Sequence, residues 1–114
     1  MVPDPQIRDA ARQILELLVA KRYQLLSEMT EPDWKPPALG IQREAEGHPG
    51  TFRVPTVEEI DYEVYPLTSE VGGYLVEVPI YSVEEGPTDL IAIFKFIPNG
   101  TGGYQLYFRD LLVQ

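Results

Sequence analysis

Residues 73–96 read GYLVEVPIYSVEEGPTDLIAIFKF, and this stretch decides the fold. Two runs rich in β-branched and aromatic residues, 74–83 and 90–97, flank the polar segment EEGPTD, in which Gly86 and Pro87 are typical turn residues. Two strands joined by so short a turn pair antiparallel. The stretch therefore predicts a β-hairpin.

Further strands are predicted on both sides of this hairpin. Residues 104–113 form another β-branched and aromatic run after PNGTGG, whose Asn99-Gly100 pair suits positive φ angles. Upstream, apolar and polar side chains alternate, which predicts a strand from Asp61 onward, preceded by a turn at the capping box of Thr56 and Glu59. Residues 60–114 thus predict a four-stranded antiparallel meander. Pro79 lacks a backbone donor and predicts a bulge or bend that curves the sheet.

The N-terminal part of the chain is predicted to be helical over residues 4–29. Asp4 can accept hydrogen bonds from unpaired backbone amides, and Pro5 suits the first helical position. Apolar side chains then recur at helical spacing, at Ile7, Ala11, Ile14, Leu15 and Leu18. A second short helix, or a bent continuation of the first, is predicted from Tyr23 to the residues before Pro32.

Residues 30–55 are expected to form a proline-rich loop, because five prolines and three glycines leave room for only one short helix, at 38–46. Trp34, Ile41 and Phe52 should pin this loop to the body of the protein, either as a lid or as a packed cover. The whole chain, 1–114, is expected to be one α+β domain, with helices packed on a curved sheet.

The charge of the chain is concentrated in its second half. Residues 1–54 carry seven basic and eight acidic side chains (−1), whereas residues 55–114 carry two basic and ten acidic ones (−8), giving the net −9. Such a field repels phosphate groups and attracts basic partners. Nucleic-acid binding is therefore not expected, and solubility is the alternative reason for the charge.

The chain has no cysteine, which excludes disulfides, a thiolate nucleophile and a zinc site of the finger type. The first residues contain prolines and charges where a secretory signal needs an apolar run, and no apolar run is long enough to span a membrane. We expect a cytoplasmic protein that does not associate with membranes.

Both faces of the predicted sheet carry apolar side chains. In the third predicted strand Leu90, Ala92, Phe94 and Phe96 alternate with Ile91, Ile93 and Ile97, and only Lys95 interrupts the pattern. In the last strand Leu106, Phe108 and Leu112 alternate with Tyr107, Leu111 and Val113. Helices can cover one face. The loop, a second copy of the chain or another protein would have to cover the other.

No catalytic residue, metal site or cofactor is predicted, and the sequence favours a protein that is not an enzyme. His48, the single histidine, lies among turn formers in EGHPG and is expected to be exposed. The serines lack a nucleophile elbow, and the glycines lack the ending of a phosphate-binding loop. Glu84, Glu85 and Asp89 could bind a hard cation, but a turn explains them without one.

The chain resembles an uncharacterised bacterial family, a domain of unknown function. The resemblance rests on a Tyr-x-x-Leu segment and on a Val-x-Val-Pro strand that runs into Glu-Glu-Gly-x-Thr-Asp-Leu. The matching residues are Tyr23, Leu26, Val76, Val78, Pro79, Ile80, Tyr81, Glu84, Glu85, Gly86, Thr88, Asp89 and Leu90. The chain is also similar in pattern to cystatin-like and NTF2-like proteins. This resemblance implies helices on a curved antiparallel sheet and implies no activity.

Three functions are consistent with these features. The first is a non-catalytic interaction module whose acidic sheet binds a basic protein, such as a toxin that it neutralises. Its predicted contact residues are Tyr81, Glu84, Glu85, Asp89 and Tyr107. The second is a small-ligand binder or enzyme of the NTF2-like kind, with a pocket between helix and sheet formed by Ile14, Leu18, Trp34, Phe94 and Phe108. The third is a homodimeric structural domain.

Overall fold

Three helices pack against a five-stranded antiparallel sheet that does not close into a barrel. The structure is a computed structural model that describes residues 4–31, 36–67, 73–99 and 101–113. The helices are α1 (Asp4–Val19), α2 (Tyr23–Glu28) and α3 (Ala38–Glu46). The strands are β1 (Phe52–Arg53), β2 (Glu63–Pro66), β3 (Tyr74–Ser82), β4 (Gly86–Pro98) and β5 (Tyr104–Val113). The predicted α+β class is confirmed.

Helix α1 forms where the apolar spacing predicts it. Its six buried side chains recur every three or four residues and face the sheet, at Ile7, Ala10, Ala11, Ile14, Leu15 and Leu18. Just after the end of the helix at Val19, Lys21 adopts a left-handed conformation with φ of 59°. The amide of Arg22 then donates to the carbonyl of Leu17 at 2.9 Å, which closes the helix end.

The proline-rich segment contains the short helix that its sequence allows. Helix α3 occupies 38–46, and its Ile41 and Ala45 are buried in the same core as α1. Before it, the Ser27 hydroxyl donates to the carbonyl of Pro36 at 2.6 Å and fixes the chain next to α2. The described part of this segment is therefore a packed cover. Trp34 lies outside the described residues.

The sheet has one strand more than predicted. Its order is β1-β3-β4-β5, and β2 pairs with another part of β3. The additional strand β1 is only two residues long and pairs Phe52 with Ser82 and Arg53 with Tyr81. So short a strand has no alternation of its own, which is why the sequence did not indicate it.

Two register shifts shape the long strands. The first lies between Pro79 and Tyr81, as the missing amide of Pro79 predicts. The second lies in β5, where Ile93 pairs with Asp110 but Phe94 pairs with Phe108, so that Arg109 is an extra residue. Beyond this bulge the side chains change faces. Leu111, not Leu112, therefore lies on the face of Phe108, and the predicted alternation of the last strand is wrong there.

The two faces of the sheet differ sharply. On the first face the side chains that meet the helices are at most 1% exposed, and they form the core at Val76, Val78, Ile80, Leu90, Ala92, Phe94, Phe96, Phe108 and Leu111. The opposite side, which we call the second face, carries the side chains of the alternate residues along each strand. There Ile91 and Ile93 are 8% and 9% exposed, and neither belongs to the core cluster.

The end of α1 allows a direct test of backbone strain. The substitution Lys21→Gly should raise the free energy of unfolding by about 0.5–1 kcal/mol, because glycine adopts positive φ without a steric cost. Ala20→Gly, one residue earlier and without a positive φ, should lower it by a similar amount, because glycine there adds only backbone freedom to the unfolded chain. Urea unfolding of both variants measures this difference. Equal destabilisation by the two would contradict the left-handed conformation of Lys21.

Candidate functional site

A row of acidic side chains crosses the second face from edge to edge. Strand pairing places Glu63 of β2 opposite Glu77 of β3, Glu77 opposite Ile93 of β4, and Ile93 opposite Asp110 of β5. We call these four residues the acidic row. Three of its four positions are carboxylates, and among the described residues none of the three takes part in an ion pair. The row is therefore a band of uncompensated negative charge.

The pairing of Glu63 with Glu77 costs stability. Side chains directly opposite each other on neighbouring strands lie about 5 Å apart at Cβ, and like charges in that position repel. The only hydrogen bond described for either carboxylate is donated by the Tyr65 hydroxyl to Glu63 Oε2 at 2.5 Å. A hydrogen bond from a neutral hydroxyl leaves the net charge of the pair unchanged. The fold keeps this repulsion although the two carboxylates contribute nothing to the packing of the core.

Apolar side chains border the acidic row on one side. Pro79, Ile91 and Leu112 form the next row of paired residues, and Leu112 is 48% exposed. A cleft of about 260 Å³ opens where the two rows meet. Its walls combine apolar and acidic side chains, including Pro79, Ile91, Glu63 and Glu77. This end of the second face can hold apolar groups beside positive charges.

Aromatic side chains border the acidic row on the other side. The residues paired across the strands there are Tyr65, Leu75, Lys95 and Tyr107. The Lys95 ammonium contacts Glu31 Oε1 at 2.6 Å, so its positive charge is neutralised by a residue beyond α2. This ion pair joins the central lysine of the sheet to a residue outside the acidic row.

A second polar cluster lies at the turn between β3 and β4. Glu84 Oε1 accepts a hydrogen bond from the backbone amide of Thr51 at 2.7 Å, and the amide of Val83 donates to the carbonyl of Thr51 at 2.8 Å. Gly50 beside them has a φ of 110°, and a Cβ there would lie 3.0 Å from Glu84 Oε1. The turn is thus attached to the chain that leads into β1. The hydrogen bond from Thr51 lowers the pKa of Glu84.

His48 joins the same cluster and is not exposed as predicted. Its side chain is 9% exposed, and its Nε2 lies 3.0 Å from Asp89 Oδ1. The hydrogen bond with Asp89 raises the pKa of His48, against the opposing effect of burial. No local pattern predicts this pair, because its members are 41 residues apart.

The predicted contact residues do not form one surface. Tyr81 is 3% exposed and belongs to the core, where its hydroxyl donates to the carbonyl of Glu59 at 2.8 Å and accepts from the amide of Asp61 at 3.0 Å. It is therefore a structural residue, which corrects the prediction. Tyr107 is half-buried on the second face. Glu84, Glu85 and Asp89 lie together at the turn.

The predicted pocket residues are separated as well. Ile14, Phe94 and Phe108 are at most 1% exposed and belong to the hydrophobic core. The predicted space between helix and sheet is therefore filled at these positions. Leu18 also borders a surface cleft between the ends of α1 and α3. Trp34 is not among the described residues.

The chain matches one family. The model of a domain of unknown function, DUF7668, matches residues 15–114. The chain belongs to this family. No curated protein and no solved structure matches it. Membership of an uncharacterised domain family is thus confirmed, whereas a bacterial origin and a likeness to cystatin-like and NTF2-like proteins stay predictions.

Three observations concern groups that sites of known chemistry use. No three of their His, Asp and Glu side chains converge as a metal site would require. Of the serine hydroxyls in the described ranges, that of Ser27 donates to a carbonyl and that of Ser82 accepts from the amide of Glu85. Helices α1, α2 and α3 are each too short or too polar to cross a membrane. Within the described ranges, none of the three carboxylates of the acidic row takes part in an ion pair.

The structural role of Tyr81 can be tested by removing one atom. Tyr81→Phe should lower the free energy of unfolding by about 1–2 kcal/mol, because a part-buried amide and a part-buried carbonyl lose their partner. Tyr65→Phe is the matched control, since Tyr65 is 44% exposed and water can replace its hydroxyl. Its effect should stay within about 0.5 kcal/mol. Equal effects of the two in urea unfolding would contradict the structural role of Tyr81.

Proposed function

We propose that this DUF7668 domain is a non-catalytic interaction module that binds a basic segment of another protein on its second face. The observation that carries the proposal is the acidic row, in which Glu63 and Glu77 face each other without a cation. A partner that supplies lysine or arginine side chains would relieve this repulsion on binding. The predicted function is thereby kept, and its surface is moved from the β3–β4 turn to the second face.

The neighbours of the acidic row support a protein partner over a simple cation. Tyr65 and Tyr107 lie on one side of the row and Ile91 and Leu112 on the other. Tyrosine is enriched at protein interfaces because it combines a large apolar surface with a polar end. Because successive side chains of an extended strand point to opposite sides, a segment in which basic and apolar residues alternate at every second position would present both kinds of contact to the second face.

The same charges argue against a homodimer formed through the second face. A two-fold contact would bring two copies of the acidic row together, with three carboxylates from each. Like charges that face each other across an interface weaken binding by an amount on the order of several kcal/mol. A partner of opposite charge has no such cost. The acidic row therefore favours a foreign partner over a second copy of the chain.

Binding can be tested with a synthetic peptide in which lysine and leucine alternate at every second position and serine stands between them. In NMR titrations the largest shift changes should fall on the amides around Glu63, Glu77 and Asp110, and the affinity should fall as salt rises. The double variant Glu63→Gln/Glu77→Gln should weaken binding about fivefold or more. Glu28→Gln/Glu44→Gln, which removes the same charge from helices α2 and α3, should weaken it far less.

Two outcomes would contradict the proposed surface. Equal weakening by the two double variants would mean that only the overall charge attracts the peptide. Shift changes confined to the helices would place binding elsewhere. The same peptide with glutamine in place of lysine separates the electrostatic from the apolar contribution.

Stability measurements supply an independent prediction. Glu77→Gln should raise the free energy of unfolding by about 0.2–1 kcal/mol while it weakens peptide binding, because it relieves the repulsion with Glu63. Glu28→Gln, on an exposed part of α2, should leave stability within about 0.5 kcal/mol of the original. A loss of stability in Glu77→Gln at pH 7 would show that the carboxylate is needed for the fold.

A further inference from the structure

His48 lies at a junction between separate parts of the fold. It follows α3 in the short link to β1, and its ring is 6.1 Å from that of Phe52. The ring borders two clefts, one of about 610 Å³ beside α3 and the β3–β4 turn and one of about 450 Å³ between the ends of α1 and α3. His48 therefore lines both clefts and lies between them.

Both ring nitrogens of His48 face groups that can only accept. Nδ1 lies 2.8 Å from the carbonyl oxygen of Pro49, and Nε2 lies 3.0 Å from Asp89 Oδ1. A carbonyl and an ionised carboxylate carry no proton to donate. A neutral imidazole has one N–H and can satisfy only one of them, whereas the imidazolium satisfies both. The heavy-atom geometry therefore favours the protonated ring.

The surroundings of His48 favour its positive charge. Four carboxylates and two cations line the two clefts together with one phenol, and they come from every element that packs near the ring. These residues are Glu44, Glu46, Glu85, Asp89, Lys21, Arg43 and Tyr23. The phenol of Tyr23 donates to Glu46 Oε2 at 3.2 Å, and burial raises its pKa to about 12, so it stays neutral. Carboxylates outnumber cations around the ring.

We propose that His48 is a proton-dependent clasp that holds residues 47–50 to the start of β4 and keeps the two clefts apart. When the ring loses its proton, one of its two hydrogen bonds is lost and its ion pair with Asp89 ends. Strand β1 stays in place, because its pairing with β3 and the bonds of Thr51 do not involve the histidine. Residues 47–50, which link α3 to β1, then become more mobile, and the two clefts are no longer separated by the His48 ring.

This clasp adds a regulatory device to the domain and does not depend on the proposed basic partner. The sign of its pH dependence follows from the raised pKa of His48. The stabilisation is fully present below about pH 6.5, the ordinary value for histidine, and is lost as the pH rises through the pKa of the folded state. The opening is therefore expected on the alkaline side.

The single histidine makes the test direct, because every imidazole signal in an NMR titration belongs to His48. The midpoint should lie above 6.5, and it should fall in Asp89→Asn, which keeps the shape of the side chain and removes its charge. Glu85→Gln is the matched control. It removes a neighbouring carboxylate that makes no hydrogen bond to the ring, and it should move the midpoint less.

Amide exchange tests the opening itself. Protection factors, which correct for the intrinsic effect of pH, should fall about two- to fivefold for the hydrogen-bonded amides of Gly47 and His48 between pH 5.5 and pH 8.5, and those of β1 should not change. In Asp89→Asn the low protection should already be present at pH 5.5. A midpoint at or below 6.5, or protection of Gly47 and His48 that does not change with pH, would overturn the proposal.

Discussion

The packing of α1 against one side of β4 is the constraint on which the rest of the structure depends. Strand β4 is 13 residues long and pairs with a strand on each side, so its alternation determines the faces of the whole sheet. Leu90, Ala92 and Phe94 are fully buried under the helices. The residues between them must then point to the second face. Every cross-strand row there, including the acidic row, follows from this choice.

The sequence predicts the parts of the fold that depend on local patterns. Residue spacing or proline chemistry within a few residues predicts helices α1 and α3, strands β3 and β4, and the bulge at Pro79. The bulge at Arg109 could not be predicted, because no single residue type marks it and it exists only in the register with β4. That one residue changes the faces of Leu111 and Leu112.

The candidate site was less accessible to sequence reasoning for the same reason. Glu63 and Glu77 are ordinary strand residues in the sequence, and their repulsion appears only when β2 and β3 are aligned. The partnership of His48 with Asp89 needs α3 and the β3–β4 turn to come together. Tyr81 shows the reverse error. An aromatic residue next to an acidic turn looks like a contact residue, yet the bulge after Pro79 turns its side chain inward.

The placement of the negative charge, more than its amount, argues for recognition. A low isoelectric point serves solubility equally well wherever the carboxylates lie on the surface. Solubility therefore gives no reason to set Glu63 directly opposite Glu77, where each raises the energy of the other. Moving either carboxylate to a helix surface would keep the net charge and remove the repulsion. An arrangement that costs stability and adds nothing to packing is typical of a binding surface, where the missing favourable contacts come from the partner.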